Sequence, residues 1–328
     1  MTDLFTWVHQ DFGIELAGAE ELDEGADPRA TLWRATAVGG ERYAIKLTSG
    51  GTPAALVLAA HLRARGVAGV PAPVAARDGK LFTMREGRRL SVVPWVGTGR
   101  AVTTGLDAGQ WRALGVLFRR VHAAPPLDGL PCERHDPAPL LETFQRMDEH
   151  IRGCTSADPL ARSLRHLWYA YAADLETLVT RTARLGAALG RREAPAVVCH
   201  NDAHLGNILT APGRVWLIDW DDAVLAPPER DLLFVVDGIF SSAPVTAAQQ
   251  AAFFAGYGEI SVDPERLTYY RCTRALEDLD WALNVLDVEG RRPDDRTEAL
   301  EIIEGLLSPT GLVALALRPP VLTATRHG

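Results

Sequence analysis

Three side chains with oxygen to offer lie close together late in the chain: Asp202, Asn207 and Asp219. The stretch Val198-Cys199-His200-Asn201-Asp202-Ala203-His204-Leu205-Gly206-Asn207-Ile208-Leu209 sets a carboxylate, two imidazoles and an amide in a polar turn between apolar runs. Asp219 closes a further apolar run, Val215-Trp216-Leu217-Ile218. Two short strands that aim an Asp, an Asn and a second Asp at one place make a site for a hard cation and a hydroxyl. Mg2+ prefers oxygen donors and leaves room for phosphate and water in its shell. A carboxylate within hydrogen-bond reach of an alcohol can orient it or take its proton. Together these are the parts of phosphoryl transfer, where a protein supplies positioning and charge and little covalent chemistry.

The joint pattern His200-x-Asp202-x-x-x-x-Asn207 followed by Ile218-Asp219-Trp220 resembles the paired signature of aminoglycoside phosphotransferases. The resemblance implies an α+β, two-lobed protein-kinase-like fold. Residues 1–96 would form an antiparallel β-rich, nucleotide-binding lobe, and residues 97–328 a larger, mainly α-helical lobe with the catalytic loop and substrate cleft. It implies further that Asp202 addresses the acceptor hydroxyl and that Asn207 and Asp219 hold Mg2+ against the phosphates of ATP or GTP. His200 would brace the catalytic loop, as would Asp231 in the run Glu229-Arg230-Asp231-Leu232. Tyr43-Ala44-Ile45-Lys46 looks like the strand whose lysine meets the phosphates. Val93, Pro94, Trp95 and Val96 fall where the family's interlobe hinge receives adenine. The segment Asp23-Glu24-Gly25-Ala26-Asp27-Pro28 sits where the family places a phosphate-covering loop, with one glycine and three carboxylates.

The elements that must hold these residues are readable from periodicity. Leu4, Phe5, Val8 and Phe12 predict a short amphipathic helix. Residues 32–38 and 42–47, joined by Gly39-Gly40, predict a β-hairpin. Residues 53–65 predict a helix, yet no acidic residue occurs between Leu47 and Arg77. The glutamate that kinase-like folds use to pair with the strand lysine has no counterpart there. A further hairpin is expected from residues 74–76 and 81–83 about Asp78-Gly79, then a buried strand over 90–96. Beyond it, Asp107 and Gln110 suggest an N-cap pairing, and Trp111, Leu114, Leu117, Phe118 and Val121 a core helix that ends at His122. Helices are expected over 139–151, 158–189, 246–257, 264–287 and 296–307.

With 34 basic and 42 acidic residues among 328, the net charge is −8. That disfavours nucleic acid or an anionic membrane and suits a cationic small molecule. The four cysteines are scattered without a C-x-x-C, the start is not that of a signal peptide, and no apolar run approaches the roughly 20 residues of a membrane span. A cytoplasmic protein, a monomer in the simplest case, is expected. The substrate is less directly encoded. Asp219-Trp220-Asp221-Asp222-Ala223, Tyr269-Tyr270-Arg271 and the Glu277-Asp278 pair look most like spectinomycin phosphotransferases, which modify an aminocyclitol antibiotic and produce resistance. Asp221, Glu277, Asp278 and Trp281 are the substrate-contact candidates. Kinases of choline, homoserine or a sugar share the same motifs. Two other readings stand beside these: a zinc hydrolase built on Cys199, His200, Asp202 and His204, and a kinase-like nucleotide-binding protein without catalysis.

Overall fold

Alternating apolar and polar residues in the first hundred positions build an antiparallel sheet. The computed structural model describes residues 2–22, 29–50, 52–236, 238–240 and 243–320, so the expected phosphate-covering segment at 23–28 lies outside the described residues. Helix α1 (Thr2–Phe12) leads into β1 (Leu16–Leu22), β2 (Ala30–Ala37) and β3 (Arg42–Thr48), followed by α2 (Ala54–Ala64), β4 (Thr83–Arg85) and β5 (Arg88–Pro94). The strand order is β1-β2-β3-β5-β4, with antiparallel neighbours throughout. Ile45, Leu47, Leu90 and Val92 are buried on one face, and α1 adds Leu4, Val8 and Phe12 to the same cluster. The two-residue period of a strand therefore turns Lys46 to the other face, in register with Ser91 of β5.

The hairpin expected about Asp78-Gly79 is corrected by the structure. Ala76 N–H does close a turn onto Lys80 O and Val74 N–H reaches Val92 O, but residues 71–80 form no strand. The Val74 and Ala76 N–H groups are spent on Val92 and Lys80, so they form no ladder with residues 81–83. The hairpin falls instead between β4 and β5, across Glu86 and Gly87, both at positive φ.

After β6 (Gly99–Arg100) and α3 (Ala101–Thr104), α4 (Ala108–His122) starts at a full capping box between Asp107 and Gln110 and buries Trp111, Leu114, Leu117, Phe118 and Val121. Its last residue, His122, is buried with Nδ1 2.8 Å from the Tyr257 hydroxyl, a packing role. Helices α5 (Ala138–Gly153), α6 (Pro159–Ala170) and α7 (Ala172–Leu189) follow; the single helix expected over 158–189 breaks at Tyr171. Next come β7 (Val197–Cys199), a 3-10 turn (Leu205–Asn207), β8 (Ile208–Ala211), β9 (Arg214–Leu217) and β10 (Val224–Ala226). Strand β8 lies between β6 and β9, and β7 pairs with β10. The remainder is helical: α8 (Glu229–Leu232), α9 (Ala247–Tyr257), α10 (Pro264–Asp278), α11 (Trp281–Leu286), α12 (Pro293–Leu307) and α13 (Leu312–Leu317). The expected helix 264–287 is thus two, and the turn between them lets Leu279, Ala282 and Val285 all be buried.

The chain forms two compact units, each assembled from separated stretches. The first comprises Met1–Pro131, Val197–Leu225 and Ala255–Gly258; the second comprises Cys132–Ala196, Ala226–Phe254 and Glu259–Gly328. The boundary expected between residues 96 and 97 falls inside the first unit, between β5 and β6. In the second unit α10 packs on α7 and α13, with Leu267, Tyr270, Leu178, Leu185, Leu312 and Val313 buried. By length and composition Pro293–Leu317 is apolar enough for a membrane span. It is, however, two helices separated at residues 308–311, with Ile303, Leu307, Leu312 and Val313 buried within the unit.

Candidate active site

Asp202, Asn207 and Asp219 all fall in the first unit. Strand β7 ends at Cys199, and the buried His200 takes the chain into the polar turn. Its Nδ1 accepts the Asp202 backbone N–H at 3.2 Å, which leaves Nε2–H to donate to Ile218 O at 2.8 Å. One imidazole therefore ties the loop bearing Asp202 to the end of β9 that precedes Asp219. Trp220 lies edge-on to it at 4.6 Å between centroids, and its own Nε1–H donates to Leu217 O at 3.0 Å.

Two turn residues carry positive φ without being glycine: Asn201 at 73° and Asp219 at 65°. Asn and Asp tolerate this left-handed region better than other side-chain-bearing residues, and such conformations gather at functional sites. Asn201 Nδ2 also donates to Asp222 O at 3.1 Å, so the two turns hold each other.

Asn207 is buried, and its amide is oriented by two bonds from Nδ2 to Asp202, to the backbone O at 2.8 Å and to Oδ2 at 2.9 Å. With both amide hydrogens spent on Asp202, Oδ1 is the group left for a cation. His204 Nδ1 accepts the Gly206 N–H, and its Nε2 lies 3.5 Å from Asp202 Oδ2. The Asp202 carboxylate is thus held from two sides. Asp219 accepts no hydrogen bond among the described residues. Its side chain reaches solvent, yet enough protein surrounds it that desolvation pushes its carboxyl above the ordinary range. Lys46 opposes that shift, Asp221 adds to it, and His200 and Asp202 act more weakly. The same electrostatic neighbourhood therefore joins Lys46, Asp202, Asp219 and Asp221.

Lys46 has an ion-pair partner that the sequence did not reveal: Nζ lies 3.0 Å from Asp221 Oδ2. Helix α2 contributes none. Only the close spacing of Asp221 to Asp219 could have signalled it. Val93 and Pro94 end β5, which stops two residues short of the strand expected over 90–96, and Trp95 and Val96 lie just beyond it. Trp95 N–H donates to Arg42 O, and the Arg34 guanidinium lies over the Trp95 ring. Gly97, at φ 74°, follows at once, and a Cβ there would come within 2.7 Å of Leu209 Cβ.

The other candidates fall in the second unit. Asp231 is buried in α8. Glu277 pairs with Arg230 at 3.3 Å and Asp278 with Arg274 at 2.7 Å, while Trp281 begins α11. Both carboxylates are thus already matched by arginines of their own unit. Cys199, His200, Asp202 and His204 do not converge as a set of metal ligands among the described residues, and both His200 nitrogens are already hydrogen-bonded to backbone.

For Mg2+, the donor set fits. Asn207 Oδ1 and the unbonded Asp219 carboxylate are hard oxygen donors, and two protein ligands suffice where phosphates and water complete the shell.

An antiparallel five-stranded sheet followed by helices, with a His-x-Asp loop and a strand-end aspartate, defines the kinase-like class of small-molecule phosphotransferases. The chain belongs to the phosphotransferase enzyme family, whose sequence profile matches residues 18–274. It is similar to a spectinomycin phosphotransferase solved with ADP and spectinomycin, at 26% identity and a TM-score of 0.86, over 96% of this chain and 97% of that one. An amicoumacin kinase solved with AMP-PNP and Ca2+ shares the fold at 16% identity and a TM-score of 0.62, over 96% of each chain. Protein StrN of Streptomyces griseus is 28% identical over 218 residues, which are 62% of this chain and 65% of that relative's length.

Proposed function

We propose that the protein transfers the terminal phosphoryl group of ATP or GTP to a hydroxyl of an aminocyclitol or aminoglycoside antibiotic, spectinomycin first among them, and so confers resistance. The observation that carries this reading is the Asp202 carboxylate, held by Asn207 and His204 beside Asp219 and Lys46 within one compact unit. In this reading the acceptor oxygen attacks the terminal phosphorus and the bond to the bridging oxygen of the leaving nucleoside diphosphate breaks. The hydroxyl proton passes to Asp202, with no phosphoenzyme. Lys46 meets the phosphates, and the backbone of Val93 to Val96 meets the base. Asn207 and Asp219 would hold Mg2+, which when bound offsets phosphate charge. His200 serves as the brace of the loop. The enzyme works in the cytoplasm, where its cysteines, all free, stay reduced.

Support for spectinomycin comes from the likeness to the spectinomycin phosphotransferase along nearly the whole chain and from the net charge of −8, which suits a cationic acceptor. The non-catalytic alternative rested on a lysine without a partner, and Asp221 removes that support. The test is a turnover assay with Mg2+ and ATP or GTP over spectinomycin, kanamycin-type aminoglycosides, hygromycin, choline and homoserine, with mass detection of product. Gain of one phosphate on spectinomycin is expected. Product on choline or homoserine alone would replace the substrate, and no product with any acceptor would reject the reading.

A further inference from the structure

Helix α2, the element following the lysine strand, carries no carboxylate, and the Lys46 ammonium is instead paired across 175 residues of sequence with Asp221. We propose that Asp221 is the positioning residue for Lys46, doing from the turn after β9 what a helix carboxylate would do from α2, and that it keeps the ammonium off Asp219. The inference rests on the reading of Lys46 as the phosphate contact.

Three features of the turn make Asp221 a fixed support, although its side chain is exposed. Trp220 before it is buried, packed on His200 and bonded to Leu217 O, and Asp222 after it is held through its carbonyl by Asn201. Asp219, two residues earlier, adopts the left-handed conformation that starts the turn. An ammonium has three donors; one spent on Asp221 leaves two for phosphate oxygens. The Asp219 carboxylate also feels the Lys46 charge, and among the described residues it accepts no hydrogen bond that would hold it away. Without Asp221, attraction between opposite charges draws Lys46 to Asp219. That removes a donor from the phosphates and occupies an oxygen assigned to the cation.

The test is calorimetric binding of a non-hydrolysable ATP analogue at several Mg2+ concentrations. It compares the unaltered chain with Asp221→Asn, Asp221→Glu, Lys46→Ala and the Lys46→Ala/Asp221→Asn double variant. Asp221→Asn is expected to weaken analogue binding by about tenfold, the order of one lost polar interaction, and to raise the Mg2+ concentration needed for half-saturation. Asp221→Glu should recover most of the loss. In the Lys46→Ala background the asparagine should add nothing, because the ammonium it positions is gone. A merely structural aspartate would cost the same in both backgrounds, and that result overturns the proposal. Weakening by Lys46→Ala with no effect of Asp221→Asn overturns the proposal alone. Unchanged binding by Lys46→Ala overturns both it and the assignment of Lys46.

Discussion

The Asp202 carboxylate is held by an amide on one side and an imidazole on the other, so its direction is set before any ligand arrives. Asp202→Asn keeps the shape, removes the charge and the proton acceptor, and puts an amide group against Asn207 Nδ2. Turnover should fall by about 10²- to 10⁴-fold, the range general-base groups contribute, while affinity for an ATP analogue holds; steady-state kinetics with a binding titration separates the two. Asp219 is the opposite case, a carboxylate whose charged form its surroundings disfavour. Desolvation raises its folded-state carboxyl pKa above the unfolded value, so the folded protein is penalised whenever Asp219 is charged. The penalty is complete above the raised folded value, shrinks as pH falls through it, and is gone below the ordinary carboxylate range. Without added cation, Asp219→Asn should therefore raise the melting temperature at neutral pH, with the gain shrinking as pH is lowered towards 4. A scan of melting temperature against pH checks this, and a destabilised variant at neutral pH would show that the desolvation account is wrong. The same variant should lose Mg2+-dependent nucleotide binding.

Elements with a clean period were legible, and those whose period is interrupted were not. The stripe of α4 and its capping box could be read directly, as could the alternation of β3 that turns Lys46 away from Ile45 and Leu47. Strand β1 was obscured because its register with β2 shifts between Leu16 and Gly18, which breaks the alternation. The partner of Lys46 was invisible for a different reason: it lies 175 residues further along the chain, just after the left-handed Asp219, and no local pattern encodes such a meeting. The link between β5 and β6 shows how backbone demand shapes an element. Gly97 sits at φ 74° against Leu209 Cβ, and Thr98 N–H then donates to Thr210 O of β8. Gly97→Ala must strain the turn and push β8, the strand that leaves Asn207. A loss of about 1–3 kcal/mol in denaturant unfolding is expected from the conformational and overpacking costs together, with weakened nucleotide binding. Unchanged unfolding would mean that the link can move without cost.

At the scale of the whole molecule, the chemistry-bearing residues divide between the two units in a way that the sequence order hides. Lys46, Val93 to Val96, Asp202, Asn207, Asp219 and Asp221 belong to the first unit, although the long helical insertion of 132–196 separates their halves. Asp231, Glu277, Asp278 and Trp281 belong to the second. Motif spacing points to the first group as candidates, because a cation and a triphosphate would impose fixed donor types. Acceptor contacts are chosen from surfaces that tolerate change, so fold and motif do not specify them. This division gives a prediction that hydrogen exchange can read on the minute scale, where local openings dominate. A non-hydrolysable ATP analogue with Mg2+ should protect peptides around Lys46, the end of β5, residues 200–207 and residues 219–222. Peptides spanning 270–286 should respond only when an acceptor such as spectinomycin is added. Binding at about 100 times the dissociation constant supplies roughly 2.7 kcal/mol, ample for slowed exchange at contacted loops. Protection of 270–286 by the nucleotide alone would move part of the nucleotide site into the second unit and leave Glu277 and Trp281 without a case as acceptor contacts.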